Sequence, residues 1–112
     1  MEQQRIDVQK VAPGAAQAMF GLEKYIAQCG LEKSLIHLVK MRASQINGCA
    51  FCLDMHSKDA IAAGESEQRL YLLNAWQESP FYSERERAAL AWTESLTLVH
   101  QTHVPEETFE EV

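Results

Sequence analysis

Apolar residues recur every three or four positions along most of this chain, which is the spacing of amphipathic helices. Prolines, serines and glycines stand between the apolar stretches, where helices start and stop. Together these signals predict six helices, over residues 13–30, 31–46, 49–63, 67–77 and 83–99 and from 105 onward. No strand-like alternation, internal repeat or long linker is present. The sequence therefore predicts an all-α fold, a single-domain bundle of about six helices over residues 1–112.

One of the predicted helices is apolar on more than one face. It contains Leu70-Tyr71-Leu72-Leu73, followed by Ala75-Trp76. Such a helix needs burial on several sides, which a chain of 112 residues rarely provides alone. We therefore expect a homo-oligomer that uses this helix or its neighbour. The alternative is that this helix forms the centre of a monomer core.

The charge of the chain argues against some classes of partner. Ten Lys and Arg residues against sixteen Asp and Glu residues give a formal net charge of −6. Since no basic stripe is present, we expect neither nucleic acid nor a membrane surface as a partner. No apolar run approaches the roughly 20 residues that span a bilayer. Residues 1–10 also lack the apolar centre of a secretory signal, so we expect a cytoplasmic protein.

The candidate chemistry lies in a short motif that contains Cys49, Cys52 and His56. On one helix this spacing puts both thiols and the imidazole on a single face. Gly48 is expected to break the preceding helix, so that the cysteines fall in the first turn of a new one. The free amide groups and the helix dipole at that end favour a thiolate. His56 would then exchange a proton with Cys52 near neutral pH.

Three interpretations of the cysteine pair compete. Two thiols and a histidine on one stripe at a helix start suit a redox dithiol, which we favour. Inert buried thiols are a second interpretation, because free cysteine is among the most buried residue types. A zinc site is the third, and it needs four donors. Three histidines could complete such a site: His37, His100 and His103. The third cysteine, Cys29, lies at a predicted helix end and is expected to be packed and unreactive.

Two residues of the preceding helix also have candidate roles. His37 lies 12 residues before Cys49, and its ring would approach the thiols as a second base if the two helices pack antiparallel. A partly exposed surface histidine is the alternative. Arg42 occupies an otherwise apolar stripe, so it either extends its charge to solvent or pairs with a carboxylate.

The motif belongs to a longer recognisable segment, Arg42-Ala43-Ser44-Gln45-Ile46-Asn47-Gly48-Cys49-Ala50-Phe51-Cys52-Leu53-Asp54-Met55-His56. It closely resembles the core signature of the alkyl hydroperoxidase D-like (AhpD-like) proteins of the carboxymuconolactone decarboxylase family. The likeness continues through residues 63–73 and 83–94 and covers about 35–99.

The resemblance implies an all-helical, oligomeric antioxidant protein that reduces organic hydroperoxides or hydrogen peroxide. In the family pattern the second cysteine, here Cys52, attacks the peroxide, and the first, Cys49, resolves the sulfenate. His56 matches the histidine that assists proton transfer. The decarboxylase branch acts on a lactone acid without needing a thiol pair, so the pair argues against that activity.

The sequence departs from the family pattern at two positions and in its length. His37 stands where a proton-relay glutamate is common. Ala50-Phe51 separates the cysteines, where the best-studied hydroperoxidases carry a histidine. Relatives usually continue past the position of Val112 with further helix, so this chain is either a short member or a truncated one.

These observations predict a dithiol peroxidase. Peroxide oxidises the Cys52 thiolate to a sulfenic acid, and Cys49 condenses with it to form a disulfide. An external dithiol then restores the pair by exchange. His56 and His37 are the expected proton-handling residues, and the chemistry requires no metal or dissociable cofactor. The alternative is a redox-sensing or zinc-holding helical oligomer of the same fold that does not turn over.

Overall fold

The computed structural model describes residues 3–112, and the regular structure in that range is helical. Eight α-helices occur there: α1 (Val8–Val11), α2 (Pro13–Gln28), α3 (Lys33–Asn47), α4 (Ala50–Ala62), α5 (Glu67–Tyr71), α6 (Glu84–Thr97), α7 (Val99–Thr102) and α8 (Glu106–Glu111). A short 3₁₀ helix, Leu73–Ala75, follows α5. No strand is found in the described residues, so the predicted all-α class is confirmed.

The chain divides into two compact units, with the boundary between Leu31 and Glu32. The first unit holds α1 and α2, which pack against each other. The second unit holds the remaining helices, and within it α3 packs against both α4 and α6. The single domain that we expect over residues 1–112 stays a prediction. No helix of the described chain is both long and apolar enough to cross a membrane.

Serine side chains cap the starts of α5 and α6. Ser83 and Glu86 form a capping box at the start of α6: the Ser83 hydroxyl accepts from the Glu86 amide at 3.2 Å, and the Glu86 carboxylate accepts from the Ser83 amide at 2.8 Å. Ser66 caps α5 by accepting from the Arg69 amide at 3.2 Å. The sequence predicted both starts correctly.

The helix predicted over residues 67–77 is shorter in the structure. Its α-helical part ends at Tyr71, and the chain continues through the 3₁₀ helix into an irregular turn. Arg87 of α6 stabilises that turn, because its guanidinium donates to the carbonyl oxygens of Trp76, Gln77 and Ser79 at 3.0, 2.9 and 3.2 Å. These carbonyl groups find their partner in a side chain rather than in a continuing helix.

The core of the second unit lies among α3, α4, α6 and the segment after α5. Its largest fully buried side chains are Leu38, Leu73 and Leu90. Leu70 and Trp76 are also buried, so part of the apolar segment is central to the core of one chain. Its other apolar side chains stay outside, since Tyr71 is 73% exposed and Leu72 is 37% exposed.

A carboxylate shared between two donors ties the core together. Oε1 of Glu94 on α6 accepts from Nε of Arg42 on α3 at 2.9 Å and from the indole nitrogen of Trp76 at 2.8 Å. The side chains of Arg42 and Glu94 are only 15% and 23% exposed. Arg42 also donates to the side chain of Gln45 at 3.0 Å. Arg42 therefore pairs with a carboxylate, which was one of the two roles that its place in an apolar stripe indicated.

A second ionic cluster joins α5 to α6. Arg69 donates to Glu65 at 2.7 Å and also pairs with Glu86, and its guanidinium lies 5.0 Å from the ring centre of Tyr82. Burial acts to raise the pKa of Glu86, but the hydrogen bonds from Arg69 and from the Ser83 backbone outweigh it and hold that pKa below its usual value.

We expect Glu94→Ala to lower the free energy of unfolding by about 2 to 4 kcal/mol, because it leaves a buried guanidinium and an indole N–H without their acceptor. Glu94→Gln should cost less, since the amide oxygen still accepts from Trp76. Urea unfolding followed by circular dichroism measures both values. Glu110→Ala, on the exposed side of α8, is the control and should stay within about 0.5 kcal/mol of the original protein. A loss at Glu94 no larger than at Glu110 would contradict this role.

The depressed pKa of Glu86 predicts an acid-sensitive contribution to stability. A carboxyl group whose pKa is lower in the folded chain stabilises the fold above its unfolded pKa, and this stabilisation is lost as the pH falls through the folded value. The wild-type protein should therefore lose more stability below about pH 4.5 than Glu86→Gln does. Urea unfolding between pH 3 and 7 tests the difference. Glu32→Gln is the control, because the Glu32 and Arg85 side chains are 51% and 62% exposed and should contribute little. Equal slopes for wild type and Glu86→Gln would refute the assignment.

Candidate functional site

The site begins with the turn between α3 and α4. Gly48 adopts a left-handed conformation with φ of 64°, which a side chain would strain. Its amide donates to the carbonyl of Gln45 at 3.2 Å, and the Cys49 amide donates to the carbonyl of Ser44 at 3.2 Å. The turn ends α3 and delivers Cys49 to the start of α4, as the Asn47-Gly48 sequence predicted.

Cys49 and Cys52 are joined as a disulfide at the first turn of α4, with their Cα atoms 5.3 Å apart. Cys49 is the N-cap residue, and its Sγ accepts from the backbone amide of Cys52 at 3.2 Å. Both residues are half-buried. The structure therefore brings the two predicted thiols together at a helix N-terminus, at a separation that allows their oxidation and reduction.

Cys29 differs from the pair and from our expectation. It is free and exposed, and its thiol donates to the carbonyl of Ile26 at 3.0 Å. The prediction that it is packed is wrong, because Cys29 follows α2, a helix with no buried residue.

His56 lies on α4 one turn beyond Cys52 and is half-buried. Its neighbours along the helix show which side it occupies: Leu53 packs against the core and Ala60 is fully buried. Residues 53, 56 and 60 share one helix face. His56 is therefore placed toward the protein interior, on the helix that carries both cysteines.

His37 lies on α3, the helix that packs against α4. The residue is half-buried, and its Nδ1 atom is buried without a hydrogen-bond partner. An unsatisfied buried ring nitrogen costs stability, and it retains the capacity to accept or donate a proton. The two helices pack against each other, and the role of His37 as a second base stays a prediction.

A shallow pocket borders the motif. Its lining comes from the last turns of α3, from α4 and from the 3₁₀ helix: Arg42, Gln45, Ile46, Leu53 and Asn74. Leu53 follows Cys52 directly in the sequence, and it is the residue of α4 that lines this pocket. The sequence analysis missed Gln45 and Asn74, because both belong to helices that looked like ordinary packing elements, and only the fold brings Asn74 to this place.

The zinc interpretation needs further donors beside the cysteine pair. Within residues 3–112, no group of three or more His, Cys, Asp or Glu side chains is arranged to hold a metal ion. His100 lies on α7 and His103 directly after it, and both are exposed.

Comparison with curated proteins finds relatives over most of the chain. The uncharacterized protein YdfG of Bacillus subtilis (strain 168) is 45% identical over 109 residues, which cover 97% of this chain and 74% of YdfG. The uncharacterized protein YnjA of Escherichia coli (strain K12) is 32% identical over 65 residues, which cover 58% of this chain and 36% of YnjA.

A solved structure and a family model also match this chain. The crystal structure of ATU0492 from Agrobacterium tumefaciens, a protein of unknown function provisionally described as the antioxidant defence protein AhpD, matches with a TM-score of 0.89 and 47% identity. The match covers 97% of this chain and 75% of ATU0492. The model of the carboxymuconolactone decarboxylase family matches residues 13–95. With its helical fold and its cysteine pair in place, the chain belongs to the carboxymuconolactone decarboxylase family and is AhpD-like.

Proposed function

We propose that this protein is a dithiol peroxidase that reduces organic hydroperoxides or hydrogen peroxide through Cys49 and Cys52. The observation that carries the proposal is the disulfide at the first turn of α4, with half-buried His56 one turn beyond it on the same helix. A helix N-terminus favours thiolates, and thiolates are the reactive form of cysteine. The similarity to ATU0492, itself provisionally described as an antioxidant defence protein, supports the same class of activity.

In the first step the Cys52 thiolate attacks the terminal oxygen of the hydroperoxide. A sulfur–oxygen bond forms, the oxygen–oxygen bond breaks, and the departing alkoxide takes a proton to become an alcohol. Cys52 becomes a sulfenic acid. His56 accepts the thiol proton of Cys52 beforehand and returns it to the leaving oxygen, which is the role of a positioned general acid and base.

In the second step the Cys49 thiolate attacks the sulfur of the Cys52 sulfenic acid. The sulfur–sulfur bond forms, the sulfur–oxygen bond breaks, and hydroxide leaves as water after protonation. The product is the disulfide that the structure contains. An external dithiol then supplies two electrons and two protons and is itself oxidised to a disulfide, which restores both thiols.

His37 is the second proton-handling residue in this proposal. It replaces the glutamate that the family commonly carries, and its buried Nδ1 has no hydrogen-bond partner. A neutral imidazole both accepts and donates protons, so it can perform a relay without adding a buried negative charge.

The pocket that Leu53 lines together with residues of α3 and Asn74 suits a small hydroperoxide. Ile46 and Leu53 contribute apolar surface, whereas Arg42, Gln45 and Asn74 contribute polar groups. Binding sites for small ligands combine mainly apolar walls with a few placed polar groups. An organic hydroperoxide has both characters, and we assign this pocket to its approach.

The proposal extends to assembly and to cellular location. No residue of α2 is fully buried, and Met19, Phe20, Leu22 and Tyr25 are each more than half exposed. A helix of 16 residues is marginal in water without packing of its apolar face. A second copy of this chain would supply that packing, so we propose a homo-oligomer.

We place it in the cytoplasm, where dithiols can recycle it.

Reduced protein should form the disulfide between Cys49 and Cys52 rapidly on mixing with a small organic hydroperoxide. Cys52→Ser should abolish peroxide turnover, and Cys49→Ser should stop at a sulfenic acid on Cys52 that a carbon nucleophile traps. His56→Phe should slow the oxidation roughly 100-fold, the lower range for general acid and base catalysis. Rapid-quench mass spectrometry measures all three.

Cys29→Ser is the matched control and should react at the wild-type rate, because Cys29 is separate from the pair. Full peroxidase turnover by Cys52→Ser, or oxidation of the wild-type pair no faster than that of a free thiol, would exclude the proposed activity.

The oligomer has its own test in analytical ultracentrifugation at micromolar concentration. The wild-type chain should sediment as more than one copy, and Leu22→Glu should shift it toward the monomer, because a charge on the apolar face of α2 opposes its burial. Gln17→Glu changes an exposed polar residue of the same helix and should leave the mass unchanged. A monomeric wild-type protein would exclude the proposed homo-oligomer.

A further inference from the structure

The two sulfur atoms of the disulfide occupy different positions relative to α4. Cys49 is the N-cap residue with an extended backbone, whereas Cys52 lies three residues inside the helix. Sγ of Cys49 accepts the backbone amide of Cys52 at 3.2 Å. A side-chain acceptor at the N-cap satisfies one of the free amide groups of the helix, and a negative charge on that acceptor strengthens the hydrogen bond.

The backbone of Cys49 is fixed on both sides. Its amide donates to the carbonyl of Ser44 at 3.2 Å, and its carbonyl accepts from the amide of Leu53 at 2.9 Å. These hydrogen bonds do not involve the sulfur–sulfur bond. When that bond breaks, Sγ of Cys49 therefore stays at the end of α4, within reach of the Cys52 amide.

We infer that the external dithiol attacks Sγ of Cys52 and that Cys49 leaves as the thiolate. This inference rests on the proposed recycling by a dithiol. In a thiol–disulfide exchange the sulfur that better carries negative charge leaves faster. The N-cap hydrogen bond gives that property to Cys49.

The exchange then proceeds in two balanced steps. A donor thiolate forms a bond to Sγ of Cys52, the bond between Cys49 and Cys52 breaks, and its electron pair goes to Sγ of Cys49. The second donor thiol, as its thiolate, attacks the donor sulfur of the mixed disulfide, and Cys52 leaves and takes a proton from His56. The two donor thiols release two protons as they become thiolates: one reaches Cys52 through His56, and the other protonates Cys49. The donor becomes a disulfide, and the protein regains two thiols.

This assignment makes Cys52 the sulfur at which both half-reactions occur. It receives the oxygen of the peroxide during oxidation and the sulfur of the donor during reduction. Cys49 contacts neither substrate and serves as the internal nucleophile and leaving group. A donor therefore needs to reach one sulfur atom only, the one on the side of His56 along the helix.

Brief exposure of the oxidised Cys29→Ser protein to 2-mercaptoethanol, followed by quenching with N-ethylmaleimide, tests the inference. Fragment mass spectrometry then locates the mixed disulfide and the alkylated thiol. We expect mercaptoethanol on Cys52 and maleimide on Cys49, in about fivefold excess over the opposite isomer, as the usual strength of an N-cap hydrogen bond implies. The same protein in concentrated urea, with the disulfide intact, is the matched control and should give nearly equal isomers, because α4 is absent.

An equal or reversed distribution in the folded protein would overturn the inference. If no adduct accumulates, competitive alkylation of the reduced protein by limiting iodoacetamide, followed as a function of pH, decides the matter. The modification of Cys49 should then reach half of its plateau rate at a lower pH than that of Cys52, because the N-cap hydrogen bond stabilises its thiolate; the same or a higher pH for Cys49 would overturn the inference as well. Neither measurement uses a peroxide, so either can fail while the peroxidase activity stands, and the reverse also holds.

Discussion

The Glu94 carboxylate is the contact on which the second unit most depends. One oxygen atom accepts from Arg42 of α3 and from Trp76 after the 3₁₀ helix, while Glu94 itself belongs to α6. Three segments that are distant in sequence thus meet at one partly buried charge. Charges removed from water are tolerated only when they are paired and hydrogen-bonded. Few other packings of these three segments would therefore keep Glu94, Arg42 and Trp76 hydrogen-bonded. It fixes α3 against α6, and α3 is the helix that leads into the cysteine motif.

The site adds a second constraint, which is purely local. Gly48 turns the chain so that Cys49 stands outside the helix and Cys52 inside it, and the amide of one residue then reaches the sulfur of the other. Packing sets where α4 lies, but this turn sets which sulfur caps it. The Cys-x-x-Cys spacing alone makes the two thiols neighbours. The turn at Gly48 makes Cys49 the N-cap residue, so that its sulfur, and not that of Cys52, accepts the backbone hydrogen bond.

The sequence predicted the features that depend on near neighbours. The capping box at Ser83, the turn at Gly48 and the pairing of the cysteines all follow from residues within a few positions of one another. Features that depend on residues distant in the sequence could not be predicted from the local pattern. The irregular turn after the 3₁₀ helix depends on Arg87, which donates to the carbonyl groups of Trp76 and Gln77.

The candidate site follows the same division. The cysteine pair and its helix start follow from local spacing, whereas the pocket residue Asn74 comes from a segment that only the fold brings to the motif. The unsatisfied ring nitrogen of His37 is likewise a consequence of packing. The partner of Arg42 lies 52 residues away, and the pattern showed only that a partner was needed.

The environment of Trp76 has an optical consequence. Its indole nitrogen donates to Glu94 and its ring lies 5.3 Å from the guanidinium carbon of Arg87, whereas Trp92 is 6.0 Å from Phe109 of α8. The indole of Trp76 thus lies beside charged groups, whereas the indole of Trp92 lies beside an aromatic ring. The emission of Trp76 should therefore change when its contacts with Glu94 and Arg87 are lost. The emission of Trp92 should change when α8 moves away from α6. The protein therefore carries two intrinsic emission probes, one for each of these parts of its structure.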